Sequence, residues 1–119
     1  MIILPWPDKR LSPNARLHWR QRVGPKQSAR IAAGWAVVAA KAHRSDLPPE
    51  GPIAITITFY APDRRRRDMD NLIASMKAAQ DGIADALGVD DHRFEPTYRL
   101  GAPCKPGRVE VQLLPSEAV

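Results

Sequence analysis

The clearest periodicity in the chain lies in residues 53–60, where Ile53, Ile55, Ile57 and Phe59 alternate with Ala54, Thr56, Thr58 and Tyr60. A strict period of two sends one set to each face of a pleated strand, so the segment predicts a strand with an apolar inner face. Upstream the period changes. From about Lys26 to Arg44, Ile31, Trp35, Val38 and Ala42 recur at i, i+4, i+7 and i+11, the stripe of an amphipathic helix. Three prolines and Gly51 between Asp46 and Pro52 end it. A second helix is predicted from about Asn71 to Leu87, with Leu72, Met76, Ala79, Ile83 and Leu87 as its buried stripe and Gly88 as its stop.

Three further strands are predicted: one at the start (Met1 to about Pro7), then Phe94 to Leu100 and Arg108 to Leu114 around the Gly101 to Gly107 turn. Pro96 cannot donate to a ladder and marks its strand as an edge or a bulge. Residues 5–25, rich in Pro, Arg and polar groups, read as a long basic loop, and Ser116 to Val119 read as a fraying end. The order strand, helix, strand, helix, strand, strand predicts a small α+β fold: residues 1–119 as a single domain, with a mixed or antiparallel sheet of about four strands and two main helices.

At 119 residues and 44% hydrophobic, the chain buries one core. Eighteen Lys and Arg against thirteen Asp and Glu give a formal charge of +5, which favours an anionic partner such as nucleic acid. Cys104 is the only cysteine, which excludes an intrachain disulfide and a Cys/His zinc cluster and fits a reducing, cytoplasmic home. The opening residues are too short for a signal-peptide core, and no window reaches the roughly 20 apolar residues of a membrane span.

The candidate chemistry sits where the 53–60 strand ends. Arg64, Arg65, Arg66 and Arg67 run directly into Asp68 and Asp70, two carboxylates one residue apart. If the approach to Asp68 is extended, side chains at i and i+2 share a face and both carboxylates reach one cation, while the guanidinium groups fork onto phosphate. On a continuous helix of about 100° per residue, Lys77 and Asp81 fall within roughly 20° of Asp70 on either side. Close carboxylates repel one another, and a hard divalent ion such as Mg²⁺, with Mn²⁺ as substitute, relieves that penalty. The Asp90-Asp91 turn is the expected source of a further ligand, and Lys77 of a charge for the transition state. Plainer readings stand beside these: Asp68 or Asp70 as a helix cap, the arginines as a solvated face, Lys77 paired with Asp81, and Asp90-Asp91 as a turn pair. His18, His43 and His92 have no metal-ligand spacing. Trp6, Trp19 and Trp35 read as packing residues, with base stacking as the alternative for Trp19.

The Leu4-Pro5-Trp6-Pro7 opening, the segment from Pro62 through the four arginines to Asp68-Met69-Asp70-Asn71-Leu72, and the Val89-Asp90-Asp91 turn together resemble the RusA family of Holliday junction resolvases, common in prophages. The resemblance spans nearly the whole chain. It implies a homodimeric, magnesium-dependent endodeoxyribonuclease, a hydrolase of DNA recombination and repair that nicks four-way junctions in pairs. The family's motif aspartates fall on Asp68 and Asp70, and its distal metal aspartate on Asp91, with Asp90 as the alternative. Its catalytic lysine stands four residues after the second motif aspartate, where this chain has Ala74; Lys77, seven residues after Asp70, takes that place on nearly the same helix face. DNA would track Arg64 to Arg67 and the basic loop, with Arg20, Arg22 and Lys26, and binding would weaken steeply with salt. The alternatives are a non-catalytic nucleic-acid-binding protein and a magnesium nuclease for other branched DNA or RNA.

Overall fold

The structure, a computed structural model, describes residues 1–13 and 15–114. The fraying expected of Ser116 to Val119 lies outside the described residues. Strand β2 (Ile53–Tyr60) forms where the alternation predicts it, with Ile53, Ile55, Ile57 and Phe59 buried. It is one of the two inner strands of a four-stranded sheet ordered β1-β4-β2-β3, with β1 (Ile2–Pro5), β3 (Phe94–Leu100) and β4 (Arg108–Leu113). Strand β4 runs antiparallel to both β1 and β2, and β3 is parallel to β2, so the sheet is mixed. Register aligns the apolar rows: Ile2, Val111 and Ile57 form one, and Leu4, Val109 and Phe59 the next. Pro96 sits on the edge strand β3, as its missing N–H predicts.

The helices cover this apolar face. Helix α1 (Trp19–Ala39) begins seven residues earlier than predicted and ends five residues sooner, so residues 19–25 are helical rather than loop. Its start was hidden because His18, not one of the usual hydroxyl or amide caps, accepts the Arg20 amide on Nδ1 at 3.2 Å, while Gln21 Oε1 accepts the His18 amide at 3.1 Å. Pro25 is tolerated inside the helix, where it is buried. The predicted stripe is also corrected. Ala33 and Val37 face the core, whereas Ile31, Trp35 and Val38 point outward and are 61%, 70% and 62% exposed.

The second helical region is two helices, α2 (Met69–Ser75) and α3 (Lys77–Leu87), rather than one continuous run from Asn71. At the break the Met76 amide donates to the Ile73 carbonyl, a tightened turn, and the Ser75 hydroxyl donates to the Leu72 carbonyl at 2.6 Å. The predicted inner stripe holds, since Met76, Ala79, Ile83 and Leu87 are buried. Gly88 ends α3 in the left-handed region at φ 68°. Helices α1 and α3 cross closely at Gly82, where a Cβ would lie 2.2 Å from the Arg30 carbonyl oxygen.

Candidate functional site

Strand β2 delivers the chain to the arginine segment, and Asp63 organises it. The Asp63 carboxylate accepts the Arg65 amide at 2.9 Å and pairs with the Arg67 guanidinium at 2.9 Å, which hold its pKa below the ordinary 3.8. Arg67 also donates to the Asp63 and Arg65 carbonyls and lies 5.2 Å from the centre of the Trp6 ring. Of the four predicted phosphate-binding arginines, Arg67 therefore fastens the loop to β1's exit, and Arg64, Arg65 and Arg66 are left exposed.

Asp68 and Asp70 do not share the face of an extended segment. Asp68 is the N-cap of α2, its Oδ1 accepting the Asp70 amide at 2.9 Å, and Asp70 lies in the first helical turn. Both are exposed. The acidic groups that do converge come from α3 and the turn after it. Lys77 Nζ lies 3.1 Å from Asp81 Oδ1 and 2.5 Å from Asp91 Oδ2, which ties the first turn of α3 to the short 3₁₀ turn Asp91–Arg93. The Lys77 ammonium, donating to Asp91, holds that carboxyl at about 2, and the Asp91 and Asp81 carboxylates raise Lys77 above its ordinary 10.5. Asp90 caps that turn by accepting the His92 amide at 2.9 Å.

Among the described residues, Asp90, Asp91 and His92 are the one group of three or more metal-ligating side chains whose ligand atoms all fall within 4.8 Å of one another. Asp68, Asp70 and Asp91 thus do not meet as a compact trio. Part of the reason is local: Asp68 is turned to its cap on the Asp70 amide. His92 joins Asp90 and Asp91 simply because one tight turn carries all three.

The basic residues divide in the same way. Lys26, Arg22 and Arg30 on α1 face Ala74, Lys77 and Asp81 across a recess of about 390 Å³. Arg22 is fastened, donating to the Ser12 and Ala15 carbonyls. Arg20 lies 5.3 Å from the centre of the exposed Trp19 ring. Arg30, which sequence reading did not single out, pairs with Asp85 at 2.6 Å and lines a second hollow with Lys77, Asp81, Asp90, Asp91 and His92. No sequence signal singles it out, because Asp85 lies 55 positions away.

No protein-family model matches the chain. It is 49% identical over 96 residues to an uncharacterized protein of Xylella fastidiosa (strain Temecula1), an alignment covering 78% of this chain and 61% of that protein. The chain therefore spans about three-fifths of that relative's length. Among the described residues, no helix is long and apolar enough to cross a membrane.

Proposed function

We propose that the chain is a magnesium-dependent, structure-selective endodeoxyribonuclease of the RusA resolvase type, acting in the cytoplasm as a homodimer that nicks four-way DNA junctions in pairs. The observation that carries this reading is Lys77 gathered against Asp81 and Asp91, facing Lys26 of α1. Carboxylates that draw in an ammonium form a cation site, and cations beside it suit a phosphate backbone. The donor set fits a hard ion: all oxygens, with Asp81 and Asp91 already sharing one positive charge. Magnesium commonly uses only one or two carboxylates, its other ligands being waters and substrate phosphate, so a compact trio is not required.

In this reading Asp91 and Asp81 hold the ion, and Asp68 and Asp70 are the further carboxylates offered by the motif. When bound, the ion supplies Lewis acidity at the phosphodiester and activates water. Lys77 brings a fixed positive charge to the oxygens that become more negative in the transition state. Arg64 and Arg66 on the loop and Lys26 on α1 bind the backbone. Incubated with Mg²⁺, the purified protein is expected to nick a synthetic four-way junction, and Asp70→Asn and Asp91→Asn are expected to bind it without cutting. Uncut junction across Mg²⁺ and Mn²⁺ would refute the nuclease reading; equal cutting of linear duplex would refute its selectivity for branches. The capping roles of Asp68 and Asp90 favour a second reading, a non-catalytic nucleic-acid-binding protein, which predicts binding without cleavage and no dependence of affinity on Asp91→Asn.

A further inference from the structure

We infer that the outward face of α1, centred on Ile31, Trp35 and Val38, is where a second copy of this chain docks. Helix α1 is apolar on two opposite sides. Ala33 and Val37 pack into the core, while Ile31, Trp35 and Val38 protrude from the reverse side with more than three-fifths of each exposed. Helices apolar all round are buried all round in finished assemblies. Taking about 150–250 Å² for a tryptophan side chain, the three expose on the order of 400 Å² together. That is about half of the roughly 800 Å² each partner contributes to a stable interface, before any perimeter is counted.

Shape points to a copy of the same chain. A two-fold contact brings one patch against itself, so the patch must carry both a protrusion and a recess. Here Trp35 protrudes beside an open hollow of about 440 Å³ bounded by Gly34, Gly82 and Ala86. Gly82 is required by this chain's own packing, but Gly34 is not: a Cβ there would meet nothing nearer than the Gly82 carbonyl oxygen at 4.0 Å. A helix-interior glycine lowers helix stability, so its use there is to keep the hollow open to a visitor.

Charge agrees. The hollow is flanked by Arg30 and Asp85, one cation and one anion 2.6 Å apart, in a chain of net charge +5. A nucleic acid would be met by an excess of cations. A two-fold related copy presents the same balanced pair, so Arg30 of each can meet Asp85 of the other. This deepens the proposed function, on which it rests for why two active sites are wanted, while the surface itself is argued independently.

The test is sedimentation equilibrium of the full chain at micromolar concentrations, beside junction cleavage. The expected result is a dimer that Trp35→Glu weakens by about thirtyfold or more, the effect of losing an interface hot spot. Gly34→Leu, at a position with room for its Cβ, is expected to do the same, and Trp19→Glu, an equally exposed tryptophan, to leave the dimer intact. Far-ultraviolet circular dichroism reports whether each variant is folded. A monomeric wild-type protein, or a dimer indifferent to both Trp35→Glu and Gly34→Leu, would overturn the inference. A dimer that fails to cut leaves the interface standing and removes the nuclease, whereas a cutting monomer does the opposite.

Discussion

Replacing Gly82 by alanine tests the helix crossing on which the site's geometry depends. The new Cβ would sit 2.2 Å from the Arg30 carbonyl oxygen and 3.0 Å from Ala33 Cβ, where ordinary contact begins at 3.4 Å. The obstruction is backbone, so no rotamer change relieves it, and α1 and α3 must separate locally by about 1 Å. A gap of that size forfeits roughly a quarter to a half of each dispersion contact across the crossing. Overpacking of this kind costs about 1–3 kcal/mol, and the upper end applies because the neighbour is rigid. Exchanging glycine for alanine inside a helix returns about 1 kcal/mol. The net expectation is a loss of about 2 kcal/mol. With an unfolding entropy of about 2.1 cal/mol/K per residue, that is a fall of roughly 8 °C in Tm. Urea and thermal unfolding followed by circular dichroism measure both. Since Lys26 and Arg30 ride on α1 and Lys77 and Asp81 on α3, the same variant should weaken the Arg30–Asp85 pair. A Gly82→Ala protein as stable as the wild type would show that the helices do not approach this closely.

Nuclear magnetic resonance titration of the Asp91 carboxyl should find its midpoint near 2, returning toward 3.8 in Lys77→Met. The sign follows: a depressed carboxyl pKa stabilises the folded state above 3.8, and that contribution is lost as pH falls through about 2; a midpoint unmoved by Lys77→Met would disprove the pairing. Asp68→Ala should cost about 1 kcal/mol of stability while Asp68→Asn, which still caps, should cost only a few tenths; a cleavage defect in the stable Asn variant then reports chemistry rather than folding. For DNA binding, Arg64→Ala and Arg66→Ala should each lower the salt-dependence slope by about 1, with stability unchanged. Arg67→Ala should instead destabilise by about 1 kcal/mol through its lost contacts with Trp6 and Asp63.

The sheet was readable because strand β2 carries β-branched residues in strict alternation, and no other assignment buries Ile53, Ile55, Ile57 and Phe59 together. Helix α3 was readable for a similar reason, its large residues facing the core. Helix α1 inverts that rule. Its close crossing with α3 admits only small side chains, so Ala33 and Val37 turn inward and the bulky Ile31, Trp35 and Val38 are displaced to the outside. A reading by side-chain size selects the wrong face of such a helix, because size marks burial only where the neighbour leaves room.

The candidate site divides along the same line between local and long-range information. Caps and turns are local: Asp68 on the Asp70 amide and Asp90 on the His92 amide both follow from residues two positions apart. The Lys77–Asp91 contact spans fourteen residues and a helix end, and its Asp81 arm alone was visible from i, i+4 spacing. Arg30 stands 55 positions from Asp85, so only the α1–α3 crossing reveals their pairing. The charged residues that meet belong to α3, the turn after it and the facing side of α1, whereas the motif aspartates sit at the start of α2. A divalent ion that bridged Asp91 to Asp70 would join the start of α2 to the turn after α3, which makes the response of Asp70→Asn to added Mg²⁺ the sharpest measure of whether the motif and the Lys77 cluster form one site or two.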